Sequence, residues 1–478
     1  MVMGRVRATS YVRRTISQPL NKNVAQIKST KGTTGLNDTN LIRNKNLHLQ
    51  LLCNNKTPNG GLDDDLDEHF GYREIGPYYS LKKSDVSGIY NMLKNKLNIF
   101  LIFVPIGIIS YLIGCKDIYI FFFNFMALIP LSALMGHVTE DLALHTGEII
   151  GGLLNATFGN LMEMIFSIQA LNAGLINVVQ GTLLGSILSN LLLVLGMSFF
   201  AGGLYHHVQK FNEKGATCST SLLLLSSLAI TIPTVSSVTT NNNVEVLLKV
   251  SRITAVLIFL TYCLFLLFQL YTHISLFQDK EMTEEVPQLS VLAGSIFLIL
   301  ITVLVSIHSE YLITTIEAVV KYYNISENFI GVILLPVVGN ATEHLTAVTV
   351  AIKNKVDLTM GVAVGSSAQI ALFVVPVTVL FGWILNKPMT LAFSPLSSVI
   401  LVISVIVTMA IVQDGESNWL EGVLLITAYL IVGVVFWFDT SINGIDRING
   451  IDRINGIDRI NGIDRINGID RIYRINGT

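Results

Sequence analysis

Apolar residues in this chain do not alternate with polar ones; they come in long uninterrupted runs. Between Leu97 and Phe438 these runs follow one another with almost no charge inside them. About 20 apolar residues is the length a helix needs to cross a bilayer. The pattern predicts eleven spans, over residues 97–114, 118–136, 148–171, 178–203, 220–239, 252–277, 288–308, 328–352, 358–385, 390–412 and 418–438. Most connections are short, as at 115–117, 353–357 and 386–388. Lysines are denser on the side that holds Lys82, Lys94, Lys210, Lys280 and Lys353, so the positive-inside rule places that side in the cytosol.

The two ends differ from this middle. Residues 1–96 are polar and form an N-terminal tail, read as cytosolic, disordered and regulatory or targeting. Its first 36 residues hold Arg5, Arg7, Arg13, Arg14, Lys22, Lys28 and Lys31 and no acid. Organellar transit peptides share that composition, which makes a mitochondrial membrane the alternative destination. From Asn443 the chain repeats Asn-Gly-Ile-Asp-Arg-Ile five times. Asp and Arg balance there and no helical stripe forms, so 439–478 is a low-complexity appendage.

A displacement of 180 residues brings two halves into register. Gly151 meets Gly331, Gly159-Asn160 meets Gly339-Asn340, Glu163 meets Glu343, Gly181 meets Gly361, and Gly185-Ser186 meets Gly365-Ser366. Glu163 falls in the third span and Glu343 in the eighth. Five spans apart, the copies cross the membrane in opposite directions, which is the inverted-repeat plan of secondary transporters. The expectation is an all-α integral membrane protein of about 11 transmembrane helices. One helix (97–114) stands outside two inverted five-helix repeats (118–277 and 288–438), which are joined by the mildly acidic loop 278–287.

Composition agrees and narrows the field. The chain is 51% hydrophobic and 13% charged, with mean hydropathy +0.60, whereas a soluble domain is nearer a quarter charged. A net charge of −2 gives no reason to expect nucleic acid. Cys53, Cys115, Cys218 and Cys263 are scattered without metal or redox spacing, and read as packing residues.

Glu163 and Glu343 are the acidic residues well inside the spans, with no Lys or Arg in either helix before Lys353. A carboxylate at bilayer depth costs at least about 3 kcal/mol on insertion scales, so a symmetric pair points to a function. Gly151, Asn155, Gly159 and Glu163 recur every fourth residue and share one helix face. Gly331, Leu335, Gly339 and Glu343 do the same. Gly159, Gly339, Gly185 and Gly365 let backbones approach, and with Pro336 they loosen the helices so that carbonyls can face a ligand.

Around the two glutamates the sequence offers Asn155, Asn160, Asn340 and Gln369 as amide donors of oxygen, and Ser186, Ser189 and Ser366 as hydroxyls. An all-oxygen set of this kind suits Ca2+, which takes six to eight such ligands in flexible geometry. Mn2+ also fits, and nothing implies a resident cofactor. His344 reads as a packing residue, a ligand or a proton relay. Glu140, Asp141 and Glu148 before one motif, and Glu310 and Glu317 before the other, read equally as cation vestibules or as ordinary interfacial stretches. Without its cation the carboxylate pair would suffer repulsion and lost solvation, and protons would neutralise it. Cation and protons then compete for one pair of side chains, which is antiport.

At these residues the sequence resembles the cation/proton exchanger family of the cation/Ca2+ exchanger superfamily. The resemblance runs from about Leu97 to Phe438. It rests on Gly151-Gly-Leu-Leu-Asn-Ala-Thr-Phe-Gly-Asn-Leu-Met-Glu163, on Gly339-Asn-Ala-Thr-Glu-His344 with Gly365-Ser-Ser-Ala-Gln369, and on Thr139-Glu-Asp-Leu-Ala-Leu-His145. It implies a first helix that is dispensable or regulatory, Ca2+ sequestration into an acidic organelle such as the vacuole, and Glu163 and Glu343 as shared Ca2+/H+ ligands. The first motif departs from the family wording, with Gly-Asn-Leu-Met-Glu where Gly-Asn-Ala-Thr-Glu is usual. A Na+/Ca2+ exchanger of the same superfamily is the nearest rival, and would call for additional polar or acidic ligands after the motifs. An intramembrane aspartyl protease would need paired Asp residues that the spans lack, and a channel would need a continuous pore. Nothing in the sequence sets the oligomeric state.

Overall fold

A computed structural model of the chain describes residues 83–146, 148–239, 244–274 and 286–439. The expected tails and most of the 278–287 connection lie outside these residues. Helix α1 (Lys83–Leu93) is followed by a 3-10 stretch, Lys96–Ile102, that runs into α2 (Phe103–Leu112). A bend of 94° separates the two helices.

The first repeat comprises α3 (Asp117–Ala143), α4 (Glu148–Phe158), α5 (Leu161–Asn172), α6 (Ile176–Tyr205), α7 (Glu213–Thr239) and α8 (Val244–Thr272). The second comprises α9 (Val291–Tyr323), α10 (Glu327–Gly339), α11 (Ala341–Ile352), α12 (Val356–Ile384), α13 (Pro395–Val412) and α14 (Trp419–Phe438). Two-residue strands β1 (Gln209–Lys210) and β2 (Glu416–Ser417) pair antiparallel across the loops after α6 and α13.

Among the described residues eight helices are long and apolar enough to cross a membrane, or ten if two bent pairs are each one span. The expected eleven is therefore not reached by length and composition. The third expected span, 148–171, is two helices of 11 and 12 residues, each too short to cross alone. A second departure concerns the polar stretches expected before each motif helix. Glu310 and Glu317 lie in the continuation of α9 past its expected end at 308, because no Gly or Pro interrupts the helix before Asn324 ends it in a left-handed conformation, φ 52°. In the same way the stretch from His137 belongs to α3 as far as Ala143.

Helix pairing carries the symmetry. α3 packs along α9, its match by the 180-residue displacement, and α7 packs along α13. α6 lies against α14, and the matching pair α12 and α8 is packed as well. Asp141 of α3 meets Leu289 just before α9, while Asn124 meets His308. One chain position rises as the other falls, so α3 and α9 are antiparallel, as inverted copies require. Lipid-facing surfaces are apolar: Ile253, Leu257, Leu260, Leu264 and Leu267 form an exposed stripe at helical spacing on α8. In a bilayer such a stripe needs no protein partner.

Candidate functional site

Both motif helices break at the same place. Asn160 between α4 and α5 has φ −110° and ψ 26°, and Asn340 between α10 and α11 has φ −95° and ψ 12°. Neither angle pair is helical. The break between α10 and α11 bends the axis by 57°. A broken helix ends its hydrogen-bond ladder inside the span, leaving carbonyls at the end of α4 and α10 and amides at the start of α5 and α11. Glu163 and Glu343 both lie in the first turn after the break, where the helix dipole favours an anion.

Pro336 adds to this in α10. It has no N–H for the carbonyl of Val332, and the preceding residues Ile330–Leu334 form a π turn. That carbonyl has room because Gly185 of α6 stands opposite: a Cβ on Gly185 would overlap the Val332 oxygen and lie 2.6 Å from Pro336 Cγ. One turn earlier Gly181 faces Gly331, where a Cβ would be 3.3 Å from the other glycine's Cα. π turns also begin at Ser189 in α6 and at Ile370 in α12. Their starts fall within one residue of matched positions beside the site, a location π turns often occupy.

The side chains form a network that crosses between repeats. Glu343 accepts hydrogen bonds from Ser366 Oγ at 2.8 Å and from Asn190 Nδ2 at 2.7 Å. Asn190 also approaches Ser366 Oγ at 3.3 Å. Asn160 donates to Gln369 Oε1 at 3.0 Å. Ser189 Oγ lies 3.2 Å from His344 Nε2, and His344 Nδ1 donates to the Asn340 carbonyl at 2.7 Å. The imidazole thus spans the helix break and ties it to the other repeat.

Glu163 is buried and lines a small pocket with Phe125, Phe166, Thr182, Ser186 and Gly339. A Cβ on Gly339 would be 3.3 Å from its Oε1, so the carboxylate of one repeat rests on the motif of the other. Three buried polar atoms here lack a hydrogen-bond partner: Ser186 Oγ, Asn190 Oδ1 and Asn340 Nδ2.

Most of the expected ligands therefore converge. Glu163, Glu343, Asn160, Asn340, Ser186, Ser189, Ser366 and Gln369 belong to this one region. Asn155 is half-exposed in α4 and makes no side-chain hydrogen bond to the others among the described residues. Asn190 is a site residue that the sequence reading missed. Its match in the second repeat is Ile370, so the symmetry search passed over it, although its spacing of four from Ser186 puts both on one face.

The expected vestibule residues are more dispersed. Asp141 accepts the backbone amides of Gln288 and Leu289 at 2.6 and 2.9 Å. Glu310 and Glu317 are exposed on α9 and Glu140 is half-buried on α3. Glu148 opens α4. No cluster of three or more His, Cys, Asp or Glu occurs among the described residues, so a cation here would rely on the amides, hydroxyls and carbonyls beside the two carboxylates.

One contact breaks the two-fold pattern. Gly181 is buried against Gly331, yet its match Gly361 is exposed, and Gly151 faces the Ala143 carbonyl at the end of α3. α6 and α10 are packed together, while α4 makes no comparable contact with α12.

Comparison with known proteins agrees with this architecture. The family described as sodium/calcium exchanger protein matches residues 116–271 and 294–438. A vacuolar calcium ion transporter of Schizosaccharomyces pombe is 43% identical over 73% of this chain and 86% of its own length. A Ca2+/H+ antiporter of Aphanothece halophytica is 42% identical over 72% of this chain and 97% of its own. Among solved structures, native YfkE is 38% identical, covers 71% of this chain and 99% of its own, and superposes with a TM-score of 0.62. The H+/Ca2+ exchanger CAX, at 13% identity and a TM-score of 0.55, shares the fold. With both halves of the repeat matched and relatives this similar over most of their length, the chain belongs to the sodium/calcium exchanger protein family.

Proposed function

We propose that this protein exchanges Ca2+ for H+ across an organelle membrane, with cation and protons competing for Glu163 and Glu343. The observation that carries the reading is the pair of glutamates, one from each inverted repeat. Each lies in the first turn past a helix break; Asn190 and Ser366 donate to Glu343, and Thr182 and Ser186 line the pocket beside Glu163. Relatives support the choice of counter-ion, since those named by it are called Ca2+/H+ antiporter and vacuolar cation/proton exchanger.

Charge balance accounts for coupling. With Ca2+ bound, two carboxylates cancel its charge; with a proton on each, the site is again neutral. Stripped of both, it carries two negative charges in a region of low polarity, an expensive state to carry through a rearrangement. Only the loaded forms reorient, so the cation crosses one way and protons the other. Ser366, Asn190, Asn160 and Gln369 supply neutral oxygens, and the freed carbonyls at the ends of α4 and α10 add to them. This mixed, flexible oxygen shell suits Ca2+ better than Mg2+, which demands near-octahedral geometry and holds its waters. Mn2+ remains a second cargo to be measured.

An acidic organelle supplies the proton gradient such an exchange needs. Relatives from a fission yeast, rice and Arabidopsis thaliana bear the word vacuolar in their names, which favours a vacuole over a mitochondrial membrane. The test is uptake into proteoliposomes with an acidic interior. Ca2+ accumulation that collapses with the pH gradient and ignores Na+ is the expected result. Uptake that follows a Na+ gradient at clamped pH would transfer the protein to Na+/Ca2+ exchange.

A further inference from the structure

The described chain enters the membrane by a sharp turn. α1 meets the stretch Leu97–Leu112 at 94°, so with that stretch in the bilayer α1 lies along the membrane surface. The bend is built into the sequence. Asn95 stands in extended backbone, φ −60° and ψ 142°, and caps the 3-10 stretch after it by accepting the Leu97 amide at 3.3 Å. Asn98 then donates to the Met92 carbonyl at 2.8 Å. α1 meets the residues just before α9, on the side that lysine density assigns to the cytosol.

One face of α1 is docked on protein. Asp85 is buried and accepts the Ser290 amide at 2.7 Å and its hydroxyl at 3.0 Å. Gly88 lies so close to the Gln288 carbonyl that a Cβ would overlap it, and Met92 is buried. About 100° round the helix, Val86, Tyr90 and Leu93 are 68%, 65% and 38% exposed. Their spacings of four and three make an apolar stripe. Ser87, Asn91 and Lys94 are exposed on the remaining side.

The stripe continues a surface that faces lipid. Past the bend the exposed residues are Ile99, Ile102, Ile109 and Leu112, so apolar surface runs from α1 onto the outside of α2. Charge selects the lipid. Lys82, Lys83, Lys94 and Lys96 flank the stripe in sequence, and between Lys82 and Lys116 the one acid is Asp85, which is turned onto Ser290. A helix with an apolar face and a lysine-bearing rim lies in the headgroup region with its apolar face among the acyl chains. Each lysine near the surface strengthens attraction to anionic lipid. Tyr90 suits the same depth, since tyrosine gathers at membrane interfaces.

We propose that α1 is a docking surface for anionic phospholipid of the cytosolic leaflet, with Val86, Tyr90 and Leu93 among the acyl chains and the flanking lysines on the headgroups. Through Asp85 the lipid-held helix also holds Ser290, the N-cap of α9, so the leaflet grips the second repeat at its first turn. This surface shares no residue with the glutamate site, and it stands whether the counter-ion is H+ or Na+.

The test uses the full chain with Cys53, Cys115, Cys218 and Cys263 replaced by Ser, in vesicles of phosphatidylcholine with about a quarter phosphatidylserine. Single fluorophores are attached through Val86→Cys, Tyr90→Cys, Leu93→Cys, Ser87→Cys or Asn91→Cys. A nitroxide carried on lipid just below the headgroup should quench the labels at 86, 90 and 93, while a water-soluble quencher should reach those at 87 and 91. The nitroxide on phosphatidylserine should quench position 86 about threefold more than the same nitroxide on phosphatidylcholine. Replacing Lys82, Lys83, Lys94 and Lys96 by Gln should erase that preference and leave the pattern across the five positions unchanged, which shows the helix still docked. Equal access of the water-soluble quencher to all five positions would overturn the proposal. So would labels at 86, 90 and 93 that neither quencher reaches, because a second copy of the chain or another of its segments would then cover the stripe. Equal quenching by the two lipids, or a preference that survives loss of the lysines, would refute the choice of anionic lipid.

Discussion

At the residue scale the site is two carboxylates with unequal surroundings. Glu343 has Asn190 and Ser366 as donors, whereas Glu163 stands among Phe125, Met162, Phe166 and the bare Gly339. Removing either charge leaves one carboxylate to balance a divalent ion. Glu163→Gln and Glu343→Gln should therefore each abolish pH-driven Ca2+ uptake while the protein still reaches the membrane, and substantial flux in either would refute the shared-ligand scheme. Asn190 is expected to act as a ligand as well as a donor, since its Oδ1 is buried and unpaired. Asn190→Ala should raise KM for Ca2+ about tenfold, the size expected for losing one bond to a charged group. His344 has both ring nitrogens engaged, with Asn340 and Ser189, which describes a brace across the helix break. A Gln can reach both partners and Leu neither. His344→Gln should keep most of the uptake that His344→Leu loses; equal loss in both would favour a proton relay.

At the scale of elements, the glycine stripes work unequally in the two halves. Gly181 and Gly185 let α6 close on α10, while Gly361 is open to its surroundings and α4 stands off from α12. The closed contact has no spare volume, so Gly185→Leu should block it and stop exchange in protein that still folds and purifies. A thiol probe should label Gly361→Cys readily and Gly181→Cys slowly; equal labelling would mean that both ends are open. The breaks at Asn160 and Asn340 were not legible in the sequence, since each falls inside an apolar run that reads as a single span. Both stripes were, because small residues and a carboxylate recur at one displacement. Their inequality was not legible. A transporter's sequence must serve both end states and so looks symmetric, while any one structure shows a single state. Asn190 was hidden for the converse reason: a search for matched positions passes over a residue whose counterpart is Ile370. His308 fell at the edge of an expected span, since periodicity alone could not show that α9 runs on unbroken to Tyr323.

At the scale of the whole molecule, two antiparallel repeats place one carboxylate each in the candidate site, and the proposed exchange requires that site to open to one side at a time. That arrangement fixes how pH must act. In the proposed scheme a proton on Glu163 or Glu343, on the face where Ca2+ loads, removes a ligand from the cation, so acid there competes with Ca2+ and does not slow the loaded carrier. KM for Ca2+ should rise as pH falls on the loading side, with maximal flux recovered at saturating Ca2+. If both glutamates must lose their protons, the rise tends toward the square of the proton concentration; if one is already bare, toward its first power. On the unloading face the sign reverses, because protons there expel Ca2+ and return the neutral carrier, so acidifying that side should raise maximal flux. Initial rates of uptake into vesicles, with the two sides buffered separately, measure both effects. A maximal rate that falls with external acid while KM stays constant would require protons to travel by a route apart from the two glutamates, and competition for one site would no longer account for coupling.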